Sequence, residues 1–164
     1  MKETELKIHI YGDKALRKKS KPVKSVGKEE KALIDKMVEI MYLNGGIGLA
    51  APQVGINKQL IIIDIGKGLF KIFNPKIKKK QGSAVREEGC LSFPGVSVKV
   101  KRPKRIFVEG INELNKRIDF WADDLFSVAL QHEIDHLKGK LIVDYANFVK
   151  KIAIRKKFKK LRKK

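Results

Sequence analysis

The sequence predicts an α+β fold: a single domain of mostly antiparallel strands around a central helix, with an N-terminal helix and a C-terminal basic helix. Three observations carry this reading. Residues 28–44 and 125–138 each place apolar side chains at spacings of three and four, the helical repeat. Between them, residues 59–120 hold short runs of β-branched and aromatic residues separated by Asn, Gly and Pro. The 164 residues show no internal repeat, linker or low-complexity stretch before the basic end, and that length suits one domain with a substantial core.

In chain order, Leu6-Lys7-Ile8-His9-Ile10 alternates as a short strand, and Tyr11-Gly12-Asp13 turns the chain. His9 reads as strand surface or as a satisfied partner. Lys28 to Asn44 is the first helix, with Leu33, Met37, Ile40 and Met41 on one face and Asn44-Gly45-Gly46 ending it. Gly45 to Gly55 is a loop of small residues around one polar side chain, Gln53. Such a loop lets another backbone come close, and a Gln amide can donate to an oxyanion. No Lys-Ser/Thr follows its glycines, so it is not a phosphate loop. Gln59 to Ile65 is a central strand. Phe70 to Phe73 and Ile77 to Lys80 are two strands parted by Asn74-Pro75. Val96 to Val100 is another, and Arg105 to Glu109 forms a hairpin with Lys116 to Phe120. The last helix begins near Phe148, with Phe148, Ile154, Phe158 and Leu161 facing inward and lysines outward.

The chemistry concentrates on Gln131-His132-Glu133-Ile134-Asp135-His136. A helix turns about 100° per residue, so His132 and His136 sit nearly above one another and can aim two imidazoles at one metal ion. Leu125, Val128 and Ala129 lie on the same stripe, which makes the ligand face continuous with the core face. The central helix is therefore a metal-binding helix, capped by Asp123 or Asp124 and ended by Gly139. Glu133 stands beside the pair, where a carboxylate can take a proton from water. A catalytic site of this kind needs a third ligand and an open position. Cys90, the only cysteine, is the best available, in the turn Glu88-Gly89-Cys90-Leu91-Ser92. A thiolate and two imidazoles suit Zn(II), Fe(II), Ni(II) or Co(II).

Composition narrows the function further. A single cysteine forbids an intrachain disulfide, and Met1 to Glu5 opens no signal peptide, so a cytoplasmic location is expected. The longest apolar runs, such as Leu60-Ile61-Ile62-Ile63, are too short to span a bilayer. The net charge is +20, and residues 150–164 contain ten Lys/Arg and no acid. That end either docks an anionic partner or keeps the chain soluble.

Three segments in order carry a resemblance. Gly46-Ile47-Gly48-Leu49-Ala50-Ala51-Pro52-Gln53, Glu88-Gly89-Cys90-Leu91-Ser92 and Gln131 to His136 resemble the signature motifs of the peptide deformylases, and the likeness runs from about Leu6 to Tyr145. The resemblance implies a catalytic domain over residues 1–147, with 148–164 as a basic helix packed on it. It implies removal of the formyl group from the N-terminal formylmethionine of nascent polypeptides by a monomeric enzyme. The metal, Fe(II), would be held by Cys90, His132 and His136. Glu133 would act as general base and acid; Gln53 and the Leu91 N–H would hold the oxyanion. Gly48 would pair with the substrate backbone, while Ile47, Val128 and Ala129 would line the methionine pocket. The basic helix would meet the ribosome. Glu88 and Asp135 would support the ligands or form ordinary salt bridges. The chain departs from the usual pattern at Tyr11-Gly12-Asp13, where Pro often precedes Asp. It departs again at Asp124, where glycine is common, and at Arg86, near the methionine pocket, where an apolar residue is common.

Two rivals have weaker support. A zinc endopeptidase would take a downstream His or Glu ligand, but no His follows His136 and Asp144 is the last acid. A non-enzymatic RNA-binding protein fits the charge but lacks aromatic-rich RNA motifs.

Overall fold

A computed structural model of the chain describes residues 5–164, so residues 1–4, on which the reading of the leader partly rests, lie outside it. The elements are α1 (Lys28–Leu43), β1 (Gly48–Ala50), β2 (Leu60–Asp64), β3 (Leu69–Gln81), β4 (Ala84–Gly89), β5 (Ser97–Arg102), β6 (Arg105–Ile111), β7 (Arg117–Asp123), α2 (Asp124–Leu137) and α3 (Phe148–Arg162). Short 3₁₀ turns occur at Lys14–Arg17, Ala51–Val54 and Ile142–Tyr145. All strand pairs are antiparallel, in a five-stranded sheet ordered β1-β2-β3-β6-β7 and a two-stranded ribbon of β4 and β5. The α+β expectation with a central α2 holds. No helix of the described residues is long and apolar enough to cross a membrane.

The core forms three clusters. One joins α1 to β2 through Leu33, Met37, Met41, Leu60 and Ile62. A second packs Ala129, Leu130, Ile134 and Leu137 of α2 against Ile61, Ile63, Ile72, Ile106 and Val108 of the sheet. The third, under the ribbon, gathers Phe93, Val98, Val100, Ile142, Ile154 and Phe158. Alternate residues of β2 therefore serve two different clusters, which is why Leu60 to Ile63 is apolar throughout.

Several expectations need correction. Leu6 to Ile10 forms no strand. Its extended chain is strapped down by single bonds, His9 N–H to Gln53 O at 2.7 Å and Tyr11 N–H to Ser92 O at 2.9 Å. The supposed loop after Gly45 contains strand β1, paired with β2 in the register Gly48↔Ile63 to Ala50↔Ile61. β2 is second from the edge, and β3 is the central strand. Residues 69–81 are one strand, not two. Register shifts fall between Phe73 and Lys76 and between Ile77 and Lys79, so Asn74-Pro75 sits in a bulge rather than a break. Asn74 adopts φ +50°, and its side-chain amide exchanges two 2.8 Å hydrogen bonds with the Val23 backbone. β4 went unpredicted because four of its six residues are exposed and only Glu88 is buried, so no alternation shows.

The helix ends also differ in detail. Asp123 is the N-cap of α2 but makes no side-chain capping bond, and Asp124 has φ +46° with its N–H on Lys104 O. Gly139 does end the helix, at φ +72°, with the Arg17 carbonyl 2.5 Å from where a Cβ would stand. In α3 only Ile154 and Phe158 are buried; Phe148 is 78% exposed and Leu161 47%. Phe148 lies six residues before Ile154, which at about 100° per residue turns it well off the buried face. Tyr11 stacks on Phe93 and Phe158 meets both edge to face, with centroids 4.7 to 5.6 Å apart, so this cluster pins α3 beneath the ribbon.

Candidate metal centre and its cleft

The site lies where α2 crosses beneath two free strand edges, that of β1 and that of β4. Each of these strands pairs on one side only. Between them opens a cleft of about 670 Å³, floored by Cys90, His132 and Glu133. Cys90 follows β4 directly, so one strand and one helix supply the sulfur and both imidazoles.

Cys90, His132 and His136 each aim one donor atom into a common space, all within 4.8 Å of one another. The His132 and His136 Nε2 atoms are 3.3 Å apart, and Cys90 Sγ is 3.4 Å from His136 Nε2. Bonds of about 2.0 to 2.3 Å in a tetrahedron separate ligand atoms by roughly 3.3 to 3.6 Å. The donor set therefore fits a divalent ion at a spacing that three ligands and one open position require. Burial opposes a charge on His132, but hydrogen bonds with Cys90 and Glu88 and the nearby Glu133 hold its pKa well above the ordinary value. Burial and the neighbouring His132 push His136 well below its own. The two rings meet edge to face, with centroids 5.0 Å apart, and their pKa values are pushed in opposite directions.

Glu88 and Asp135 belong to one buried network. The Glu88 carboxylate meets His132 Nδ1 at 3.0 Å and accepts from Arg102 Nε at 2.5 Å and Nη2 at 3.0 Å. Arg102 also donates to Asp135 at 2.9 Å and to the Tyr145 hydroxyl at 3.2 Å, while Tyr145 donates to Asp135 at 2.6 Å. Arg102 and Glu88 side chains are each 5% exposed. The bond from Glu88 fixes the His132 ring with Nε2 toward the centre. Arg102 and Tyr145 were missed from sequence. The signal was present, because Val98, Val100 and Arg102 alternate inward along β5. An Arg on an inward position must find acids there.

The other predicted residues converge on the same cleft. Gln53, 1% exposed, accepts from the Ala50 N–H at 2.9 Å, which turns its NH2 toward Ser92 Oγ at 3.2 Å and Cys90 Sγ at 3.5 Å. Leu91 lines the cleft, and its N–H has no acceptor among the described residues. Ile47 is 44% exposed, Ala129 is buried and Val128 half-buried; all three line the cleft. Gly48 does more than pair strands. A Cβ there would stand 2.5 Å from Glu133 Oε1, so only glycine leaves room for the carboxyl. His9 is not a ligand; its Nδ1 meets Asp13 at 2.6 Å. The two departures Arg86 and Asp124 face each other across the cleft mouth, with Nη2 and Oδ1 3.5 Å apart.

Glu133 is buried, and its Oε2 has no partner among the described residues. Burial raises its pKa from the ordinary 4.5 to about 7. A carboxyl raised in this way favours the folded state while protonated, and that contribution is lost as pH climbs from 4.5 toward 7. In the metal-free protein, unfolding free energy of the parent should therefore fall by up to about 3 kcal/mol over that range, relative to Glu133→Gln. Denaturant titrations of both proteins at pH 4.5, 6 and 8 measure it. A parent-minus-variant difference that is flat with pH contradicts the buried, raised carboxyl.

The matching family model is that of the polypeptide deformylases, over residues 5–152. A peptide deformylase of Hydrogenovibrio crunogenus is 45% identical over 159 residues, covering 95% of this chain and 94% of the relative. The crystal structure of a peptide deformylase from Legionella pneumophila aligns with a TM-score of 0.91 at 38% identity, over 97% of this chain and 98% of that one. That of the Ehrlichia chaffeensis enzyme in complex with actinonin aligns at 0.94 and 34%, over 97% and 98%. With its sulfur and imidazole donors beneath a buried glutamate, this chain belongs to the polypeptide deformylase family.

Proposed function

We propose a role for each residue in the family's reaction, hydrolysis of the formyl group from the N-terminal formylmethionine of nascent polypeptides with release of formate. The chain is a hydrolase of that class, acting on a linear amide. One observation supports the assignment above others: three donor atoms converge within 4.8 Å at the floor of an open cleft, beside a buried carboxyl oxygen without a partner among the described residues.

Cys90, His132 and His136 hold one divalent ion, for which we propose Fe(II), with Zn(II), Ni(II) and Co(II) compatible with the same donors. Such an ion acidifies water and polarises a carbonyl oxygen. Glu133 takes the proton of the attacking water and passes it to the departing amine nitrogen; a raised pKa equips it for both steps. The Gln53 NH2 and the Leu91 N–H donate to the oxygen that becomes negative as the carbon turns tetrahedral. The edge of β1, from Gly48, pairs with the extended peptide, and Ile47, Val128 and Ala129 receive the methionine side chain.

Residues 1–147 form the catalytic unit and 148–164 a basic helix on the same domain. That helix presents Lys156, Lys160 and Lys163 to solvent and suits the RNA of the ribosome, the source of the substrate. The protein acts in the cytoplasm as a monomer.

Glu133→Gln should retain metal and lose formate release from formyl-Met-Ala-Ser. Gln53→Ala should lower kcat by roughly 10²- to 10³-fold with less effect on KM. Normal turnover by Glu133→Gln refutes the proton-transfer role. Replacing Lys156, Lys160 and Lys163 by Gln spares the buried Ile154 and Phe158. It should weaken ribosome binding and flatten its salt dependence. Unchanged affinity and slope refute the docking role.

A further inference from the structure

A second hollow lies away from the catalytic cleft, between the C-terminal half of α3 and the turn at Tyr11-Gly12. It holds about 530 Å³, within the range of about 300 to 1,000 Å³ common for small-molecule sites. Arg155, Lys159, Arg162 and Lys163 line it, and no acid does. Spacings of four and three put Arg155, Lys159 and Arg162 on one stripe of the helix, beside the buried Phe158. Its floor is aromatic: Tyr11 and Phe158 meet edge to face with centroids 5.5 Å apart. Among the described residues, none of the four cations makes an ion pair. Asp13, the nearest acid along the chain, is already engaged by the Ala15 N–H at 2.8 Å and His9 Nδ1 at 2.6 Å. Gly12 is what lets Arg162 into this wall. It has φ +103°, and Arg162 Nη1 lies 2.5 Å from where a Cβ would stand. A proline there would fix φ near about −65° and fill the space that the guanidinium takes.

Positive charges around an apolar floor focus their field into the hollow. The C-terminal end of a helix opposes an anion with only about half an elementary charge, against four full positive charges here. Each guanidinium offers a planar fork that matches two phosphate oxygens, and each lysine adds a point charge. We propose that this hollow is a second binding site, which takes the phosphate groups of a nucleotide, either free or within an RNA strand. The inference goes beyond the roles given to the cleft and to the outward stripe of α3. Lys156 and Lys160 do not line the hollow, and of that stripe only Lys163 borders it.

The test is calorimetric titration of the metal-loaded, full-length protein with uridine 3′,5′-bisphosphate and with hexauridylate, in about 0.15 M salt. A one-to-one complex is expected. Similar affinity for the two probes assigns the site to free nucleotides; affinity for hexauridylate more than about ten-fold tighter assigns it to an RNA strand. Replacing Arg155, Lys159 and Arg162 together by Gln should weaken the complex roughly ten-fold, in the range to which three exposed ion pairs sum. Lys159→Gln alone, at an exposed position, should weaken it roughly two-fold and decides the matter if the triple variant does not fold. Replacing Lys80, Lys156 and Lys160 by Gln removes the same charge from outside the hollow and should change the affinity far less. Equal losses in the two triple variants would mean that only the general field of a +20 protein is felt, and would overturn the proposal. So would the lack of a saturable complex with either probe. Formate release from formyl-Met-Ala-Ser should be unchanged in the Arg155, Lys159 and Arg162 variant, which keeps this result separate from the reading of the cleft.

Discussion

The geometry of the site depends on one buried carboxylate. Glu88 accepts from Arg102 and meets His132 Nδ1 at 3.0 Å, so the ring that must face the centre is held by a charge itself held by another charge. Taking ions out of water costs several kcal/mol each, and the cost is offset only when every charge is paired and hydrogen-bonded. Arg102 meets that condition with Glu88, Asp135 and Tyr145 together. The network also crosses the molecule: Glu88 comes from β4, Arg102 from β5, Asp135 from α2, and Tyr145 from the turn that leads to α3. Removing Arg102 would leave two acids uncompensated beside the ligands. The ion pairs therefore act less as glue than as a jig that lets a helix and a strand present their donors at one point.

A second constraint joins fold to chemistry. The Glu133 carboxyl is buried, and its pKa raised, where the strand beside it comes unusually close. Gly48 supplies the missing volume, and β1 continues past it as an edge without a neighbour. The opposite wall, β4, is also an edge. Unpaired edges normally invite aggregation; here they flank the cleft. Leu6 to Tyr11, strapped to Gln53 through His9 and to Ser92 through Tyr11, ties together the two turns that carry Gln53 and Cys90.

Much of this was legible in the residues, for identifiable reasons. α2 was legible because its apolar repeat and its ligand spacing coincide, and the β6–β7 hairpin because Asn112 to Asn115 interrupts two alternating runs. Cys90, His132, His136, Gln53 and the cleft-lining residues lie together around one cleft. What escaped was whatever depended on tertiary context. β3 was split because Asn74-Pro75 looks like a stop, yet Asn74 is paid for by its bonds to Val23 from outside the sheet. β4 has no alternation because, of its residues, only Glu88 turns into the buried network while its neighbours stay at the surface. Phe148 and Leu161 were placed inside on spacing alone, although only one turn of α3 reaches the aromatic cluster. Arg102 was hidden because a charge on an inward position looks like an exception until its acids are seen around it.

Metal affinity tests most directly whether Glu88 orients His132. The measurement is the dissociation constant of Zn(II) or Co(II), by chelator competition, for the parent and for Glu88→Gln, with circular dichroism to confirm the fold. A loss of about 10- to 100-fold in affinity with the fold retained is the predicted result. An unchanged constant in a folded variant would mean that the three ligands hold their positions without the buried carboxylate, and would contradict the account.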